Sequence, residues 1–292
     1  MSVENFVPEI WSAALLQSLR DRLVYGQSGV INRNYEGEIA QAGDTVHITA
    51  FGDPEVREYE KNENISWDLL ESTQQSLVVD QSDYFAFRVD DIDRRQALAG
   101  FVEESTTGAS YNLASETDEY LAGLMSDAVP NRNDMSAGQS GDTVTIGGSS
   151  GDAYNLLVNL RTLLTRSNTP DDGRFVVVPP EMYGVLLKDD RFIRADASGT
   201  TSGLRNGVVG RAAGFDVIEG NRVPEDSDEG TYRVIAGHGI ATTFAEQIAS
   251  TEALRLENTF GDGLRGLHLY GARVIRPSNL AAADVSISDG DD

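Results

Sequence analysis

Three histidines, a few glycine-rich turns and two acidic runs are the stretches whose residue types could do chemistry. His47, His238 and His268 lie far apart, and no pair sits at the i, i+4 spacing that puts two imidazoles on one helix face to hold a metal. They are read as strand or loop residues. Gly237-His238-Gly239-Ile240-Ala241-Thr242 follows a strand-like run and precedes an expected short helix, the setting of a dinucleotide-binding turn. Thr242 replaces the third glycine, and only about fifty residues remain, too few for a doubly wound sheet. Tight-turn glycines are the preferred reading. Gly147-Gly148-Ser149-Ser150-Gly151 lacks the Lys-Ser/Thr of a phosphate loop, and Ser140 lies in Gly138-Gln139-Ser140-Gly141, not in a Gly-x-Ser-x-Gly elbow. Asp90, Asp91 and Asp93 could hold a hard cation through carboxylate oxygens, but dipole-matched acids at a helix start are the preferred reading. Glu225, Asp226 and Asp228 read as a solvated acidic loop, with a weak cation site as the lesser alternative. No spacing supplies a general acid–base pair. No catalytic residue, cofactor or firm metal site is expected.

Composition narrows the function further. The 292 residues carry a net charge of −24, which argues against gripping nucleic-acid phosphates or anionic lipid. With 40% hydrophobic residues the chain can form a core, and with no cysteine it has no disulfides, thiolate metal sites or cysteine nucleophile. Lys61 and Lys188 are the only lysines, so arginine supplies nearly all the positive charge. Such an acidic, lysine-poor composition suits a protein working in molar salt, where carboxylate repulsion is screened. No apolar run is long enough to span a bilayer, and residues 1–5 carry no secretion-signal pattern, so a cytoplasmic site of synthesis and use is expected.

Periodicity gives the elements that must position these residues. Pro8 and Glu9 suit a first helical turn, and Trp11, Leu15, Leu19 and Leu23 recur every four residues. An amphipathic helix is expected over 8–24, its stripe packing on its own core or on a neighbouring subunit. Val46, Ile48 and Ala50 alternate with polar residues in a strand over 44–51, and a second strand-like run covers 76–89. The intervening segment carries Arg57, Glu58, Lys61 and Glu63 with little apolar content. Loops this long rarely stand alone in a compact domain, so either the segment is disordered or something outside the monomer holds it. A long helix is expected over 91–128, with Arg94 and Arg95 pairing back to Asp90 and Asp91, and with Leu98, Val102, Ala109, Leu113, Tyr120, Leu124 and Ala128 on one face. Further expectations are a strand at 143–146, helices at 153–167 and 181–187, a buried strand at 175–178, and strands at 214–219, 231–236, 252–258 and 266–276. A short helix is expected at 240–247 and a mobile tail after Pro277.

The order of these elements resembles that of the major capsid proteins of tailed double-stranded DNA viruses, of the Hong Kong 97 type. The local stretches agree: Val7-Pro8-Glu9-Ile10-Trp11 opening an arm, Gly43-Asp44-Thr45-Val46-His47-Ile48 opening a hairpin, Val176-Val177-Val178-Pro179-Pro180-Glu181-Met182-Tyr183, Gly207 to Val217, and Gly271-Ala272-Arg273-Val274-Ile275-Arg276-Pro277. The resemblance implies an α+β fold with an N-terminal arm (1–42), an extended E-loop hairpin (43–90), a peripheral domain with a spine helix (91–152), an axial domain (153–250), a return to the peripheral domain (251–277) and an acidic flexible tail (278–292). It implies self-assembly into pentamers and hexamers of an icosahedral head that encloses DNA without sequence-specific binding, in the virion after assembly in the host cytoplasm. The acidic composition would suit a tailed virus of haloarchaea. Partners implied are further copies of the chain, a separate scaffolding protein (no long helical extension precedes the arm), a portal and decoration proteins, with no membrane. Expected inter-subunit contacts are Trp11, Leu15, Arg57, Glu58, Lys61, Glu63, Trp67, Leu69, Leu70, Arg94 and Arg95. Some relatives cross-link through a lysine in this loop, but Glu60 and Glu63 beside Lys61 would keep it charged, so no cross-link is expected. Two alternatives stay open: a compartment shell protein of encapsulin type, and a mixed α/β nucleotide-binding enzyme using the Gly237–Gly239 turn.

Overall fold

In the chain's computed structural model the described residues are 23–34, 45–51, 58, 61, 72–90, 101–136, 143–147, 152–189, 210–226, 230–255 and 261–288. Three sheets organise them. β1 (Thr45–Phe51) and β2 (Ser72–Val78) form an antiparallel two-stranded ribbon. β3 (Gln81–Asp90) belongs instead to a three-stranded sheet. The long helix α1 (Phe101–Ala128) follows, then β4 (Val144–Ile146), α2 (Asp152–Arg166), β5 (Arg174–Val178) and α3 (Pro180–Lys188). The chain continues with β6 (Arg211–Ala212), β7 (Phe215–Glu219), β8 (Glu225–Asp226), β9 (Thr231–His238), β10 (Thr242–Arg255), β11 (Gly261–Val274) and β12 (Leu280–Ile287).

The largest sheet has the order β4-β12-β9-β5-β7-β6, with β8 on the flank of β9. Alternation along β5 explains why it sits at the centre. Val176 and Val178 face the leucines of α2 (Leu156, Leu157, Leu160 and Leu164) together with Met182 and Leu186 of α3. Phe175 and Val177 face the other way, onto Leu121 and Met125 of α1 and onto Tyr25, Val30 and Ile31. Both faces of the sheet are therefore covered, and a strand covered on both faces reads as a continuous apolar run. Gly237 of β9 shows how tight the fit is: a Cβ there would lie 2.7 Å from Leu280 Cδ2.

The second sheet has the order β10-β11-β3, all antiparallel. α1 lies against it and against the second face of the large sheet, so one helix bridges the two.

Several sequence expectations are corrected. The run 76–89 is not one strand. It breaks at Val79 and Asp80, because Leu77 and Val79 turn inward onto Ala245 and Leu269 while the chain changes sheets. The short helix expected at 240–247 is the start of the fourteen-residue strand β10. Phe244 and Ala245 are both fully buried there, on opposite faces, which a strand between two packed layers allows. The Gly237–Gly239 turn thus joins two strands of different sheets and opens no helix, which removes the nucleotide-binding alternative. The flexible tail is also corrected: residues 280–287 are β12, an interior strand between β4 and β9. Its Leu280 to Ala283 are fully buried; small alanines let the helices approach closely. Glu225 and Asp226, expected in a loop, pair with Tyr232 and Thr231 while staying exposed. Leu23 and Val24, expected at the end of a helix, are not helical; the rest of that expected helix falls outside the described residues.

The long helix is present over 101–128, but its buried stripe is not the expected one. It runs through Ser110, Leu113, Ala114, Thr117, Asp118, Leu121, Ala122 and Met125. Tyr120 and Leu124 are only partly covered. Among the described residues no helix is long and apolar enough to cross a membrane.

Candidate functional site: the junction of the arm root, the hairpin root and the three-stranded sheet

Residues 23–34, the most N-terminal of the described residues and termed the arm root because they fall within the span expected as the arm (1–42), fill the space between α1 and β10. Tyr25, Val30 and Ile31 are fully buried in the same cluster as Phe244 and Tyr270. Burial of such side chains contributes about 1.5–3 kcal/mol each. Asn32 bridges to Thr243, its N–H donating to Thr242 O at 2.9 Å and its carbonyl accepting from Phe244 N at 3.0 Å. The buried carboxylate of Asp118 on α1 accepts the N–H groups of Val24 (2.8 Å), Tyr25 (2.9 Å) and Gly26 (3.2 Å). Burial outweighs these hydrogen bonds and pushes the Asp118 carboxyl up to about 6. Burial also raises the Tyr25 phenol, helped by the charge of Asp118.

A polar band crosses the three-stranded sheet beneath this root. Register places Glu246 of β10 opposite Tyr270 of β11, and His268 opposite Asp83 of β3. Arg33 pairs with Glu246, whose other oxygen lies 3.2 Å from His268 Nε2. The Arg33 guanidinium also sits 5.3 Å from the centre of the Phe244 ring. Tyr270 stacks on His268 at 4.9 Å and donates its hydroxyl to Asp83 Oδ2 at 2.7 Å. Burial raises the Tyr270 phenol, and the bond to Asp83 adds to this. Tyr120 of α1 meets Tyr270 edge-on. The band ties arm root, sheet and long helix together.

The opposite face of the same sheet holds the hairpin root. Leu77 and Val79 pack on Ala245 and Leu269, and Arg273 Nη1 donates to Ser76 O at 2.7 Å. Gly271 permits the contact: a Cβ there would lie 2.3 Å from Val78 O and 2.9 Å from Val79 Cα. Farther along, β3 and α1 border a groove of about 740 Å³ lined by Tyr84, Phe85, Phe87, Ala109, Leu113 and Glu116, with Tyr84 77% exposed.

The sequence-selected residues fare differently. Asp90 ends β3 opposite Gly261. Glu58 and Lys61 are exposed. Trp11, Leu15, Arg57, Glu63, Trp67, Leu69, Leu70, Asp91, Asp93, Arg94, Arg95 and Asp228 lie outside the described residues. Among the described residues no three His, Asp or Glu side chains gather as metal ligands. His238 accepts the N–H of Ile240 at Nδ1, a turn role. Sequence reasoning missed Asp118, Glu246, Arg33 and Gly271. One signal was available for Asp118: it occupies the buried phase set by Ala114, Leu121 and Met125.

The profile of a family described as phage capsid protein matches residues 74–283. The chain is 30% identical to a solved structure from Mycobacterium phage Che8, over 90% of each chain, with a TM-score of 0.66. It is similar in fold to the capsid structure of Cyanophage P-SCSP1u, at 14% identity over 89% of this chain and 86% of that one, with a TM-score of 0.63. The capsid of Ralstonia phage GP4 gives a TM-score of 0.65 at 12% identity over 93% and 91%. No curated protein matches the chain. These matches favour no compartment-shell reading. With a family profile covering more than half its length and a relative at 30% identity, the chain belongs to the phage capsid protein family and is a structural major capsid protein of the Hong Kong 97-type fold, not an enzyme.

Proposed function

We propose that copies of the chain join head to tail into pentamers and hexamers and close into an icosahedral shell around double-stranded DNA. The observation that supports this most directly is the β1–β2 hairpin, a two-stranded sheet that shares no ladder with the rest of the described chain. Isolated two-stranded ribbons are at best marginal in water. The ribbon, tip residues Arg57, Glu58, Lys61, Glu63, Trp67, Leu69 and Leu70 included, takes its support from a neighbouring copy. The aromatic groove between β3 and α1 is a seat of suitable character for such a limb. Head-to-tail contacts of this kind close into rings when the rotation allows.

In this reading residues 1–42 are the arm, 43–90 the E-loop and 91–152 the peripheral domain with its spine helix. Residues 153–250 are the axial domain and 251–277 the return. A separate scaffolding protein, a portal and decoration proteins complete the assembly in the host cytoplasm. The net charge of −24 keeps packaged DNA mobile against the wall. The same charge opposes subunit contact, so assembly needs high salt or divalent cations. Light scattering and electron microscopy of the purified protein across salt concentrations test both statements. Closed shells that fall apart in dilute salt are expected. A small oligomer under every condition contradicts the shell, and salt-indifferent shells contradict the screening argument.

A further inference from the structure

The feature that the shell reading leaves unused is the buried carboxylate under the arm root. Asp118 is 4% exposed and sits in the packed stripe of α1. It receives three successive backbone N–H groups from residues 24–26, the turn at the arm root. No cationic side chain among the described residues pairs with it. The groups facing it offer little compensation. From β10 comes Glu246, itself held by Arg33 and His268. From the arm root comes the Tyr25 phenol. Glu219 at the end of β7 and Arg222 just after it line a cavity of about 260 Å³ that also touches Asp118, Val24 and Tyr111. Arg222 there points to Ser115 Oγ (2.5 Å) and to Glu119 (3.8 Å). The cavity gives solvent protons a path to the carboxylate.

We propose that Asp118 is the positioning residue of the arm root: its buried carboxylate, hydrogen-bonded to three backbone N–H groups but paired with no cation among the described residues, fixes the turn at residues 24–26, and the grip on that turn varies with the charge it carries. The sign follows from linkage. Opening the turn exposes Asp118 to water and returns it to its ordinary acidity. The closed form therefore binds the proton more tightly than the open form, and acid strengthens the grip. With an ordinary value of 3.8 and a buried value of about 6, the closed form is favoured about tenfold more at about pH 5 than at about pH 7.5. At neutral pH the arm root is held by hydrogen bonds against the cost of a buried charge, which leaves it the easier part of the junction to release.

Amide hydrogen exchange of the full-length, unassembled chain tests this, with intrinsic rates corrected for pH. Protection of Val24, Tyr25 and Gly26 is expected to be about tenfold higher at about pH 5 than at about pH 7.5, while β5 amides show no such profile. Asp118→Asn is expected to flatten the profile, and Asp118→Ala to lower protection at both pH values. If either variant does not fold, the profile of the natural chain still decides. A flat or reversed profile at residues 24–26, one shared with β5, or one that survives in a folded Asp118→Asn protein overturns the proposal. None of these outcomes depends on whether shells form.

Discussion

The seven-stranded sheet and the β1–β2 ribbon sit at opposite ends of self-sufficiency. Every residue of β5 is buried, between α2 and α3 on one side and α1 with the arm root on the other. Among the described residues β1 and β2 share a ladder only with each other, and the contacts that join them to the body lie at the root, at Leu77, Val79, Gly271 and Arg273. The difference teaches that one copy covers both faces of the large sheet with its own residues, whereas the ribbon shares no ladder with the rest of the described chain, and in the function proposed above a neighbouring copy supports it. The three-stranded sheet lies between these extremes. One half is packed on both faces, and its far edge, β3, borders an open aromatic groove.

Substitutions sharpen that contrast. Phe175→Ala, at the centre of the large sheet, is expected to lower unfolding stability by about 3–5 kcal/mol, read by denaturant melts of the isolated subunit. A comparable loss, about 3–5 kcal/mol, is expected for Glu246→Ala, which strips Arg33 and His268 of their shared buried carboxylate. Gly271→Ala should cost about 1–3 kcal/mol by forcing the hairpin root away from β11. It should also impair shell formation far more than Phe175→Ala does at equal residual stability, as measured by the yield of closed particles. Equal yields would break the comparison.

Smaller effects come from ion pairs. Burial pushes the Asp134 carboxyl up, but hydrogen bonds from Ser136 and Arg233 outweigh it and hold it below its ordinary 3.8. A depressed value contributes stability that is present above the ordinary value and lost as pH falls through the folded one. Asp134→Asn should therefore flatten the acid limb of the stability curve below about pH 4, checked by thermal melts from neutral to acid pH. Least of all, Glu252→Gln breaks an exposed pair with Arg265 and should change stability by under about 1 kcal/mol.

Much of this architecture was legible in the residues, and the failures have physical causes. α2 and α3 carry a helical period because one face of each packs on the large sheet, β5 reads as an apolar run because both of its faces are covered, and β1 alternates in sequence. β12 was misread as a tail because alanines flanked by an acidic terminus look dispensable until neighbouring helices need small residues beneath them. The first part of β10, over 242–247, reads as a helix because both of its faces are buried near Phe244 and Ala245, which erases alternation, whereas its later part falls in the strand expected at 252–258. The buried stripe of α1 was misplaced because Ser110, Thr117 and Asp118 occupy core positions, with Asp118 serving backbone donors nearly a hundred residues earlier in the chain. Long-range partners of that kind leave no local trace, and the same holds for Arg33 with Glu246 and for Gly271 with Val78.

Comparing amide exchange in free subunits and in closed shells bears most directly on the central claim, that the ribbon takes its fixed shape from a neighbouring copy. The account predicts that residues 45–51 and 72–76 exchange rapidly in the free subunit and become protected on assembly, while β5 and β12 are protected in both. Equal, strong protection of the ribbon in the free subunit would contradict it.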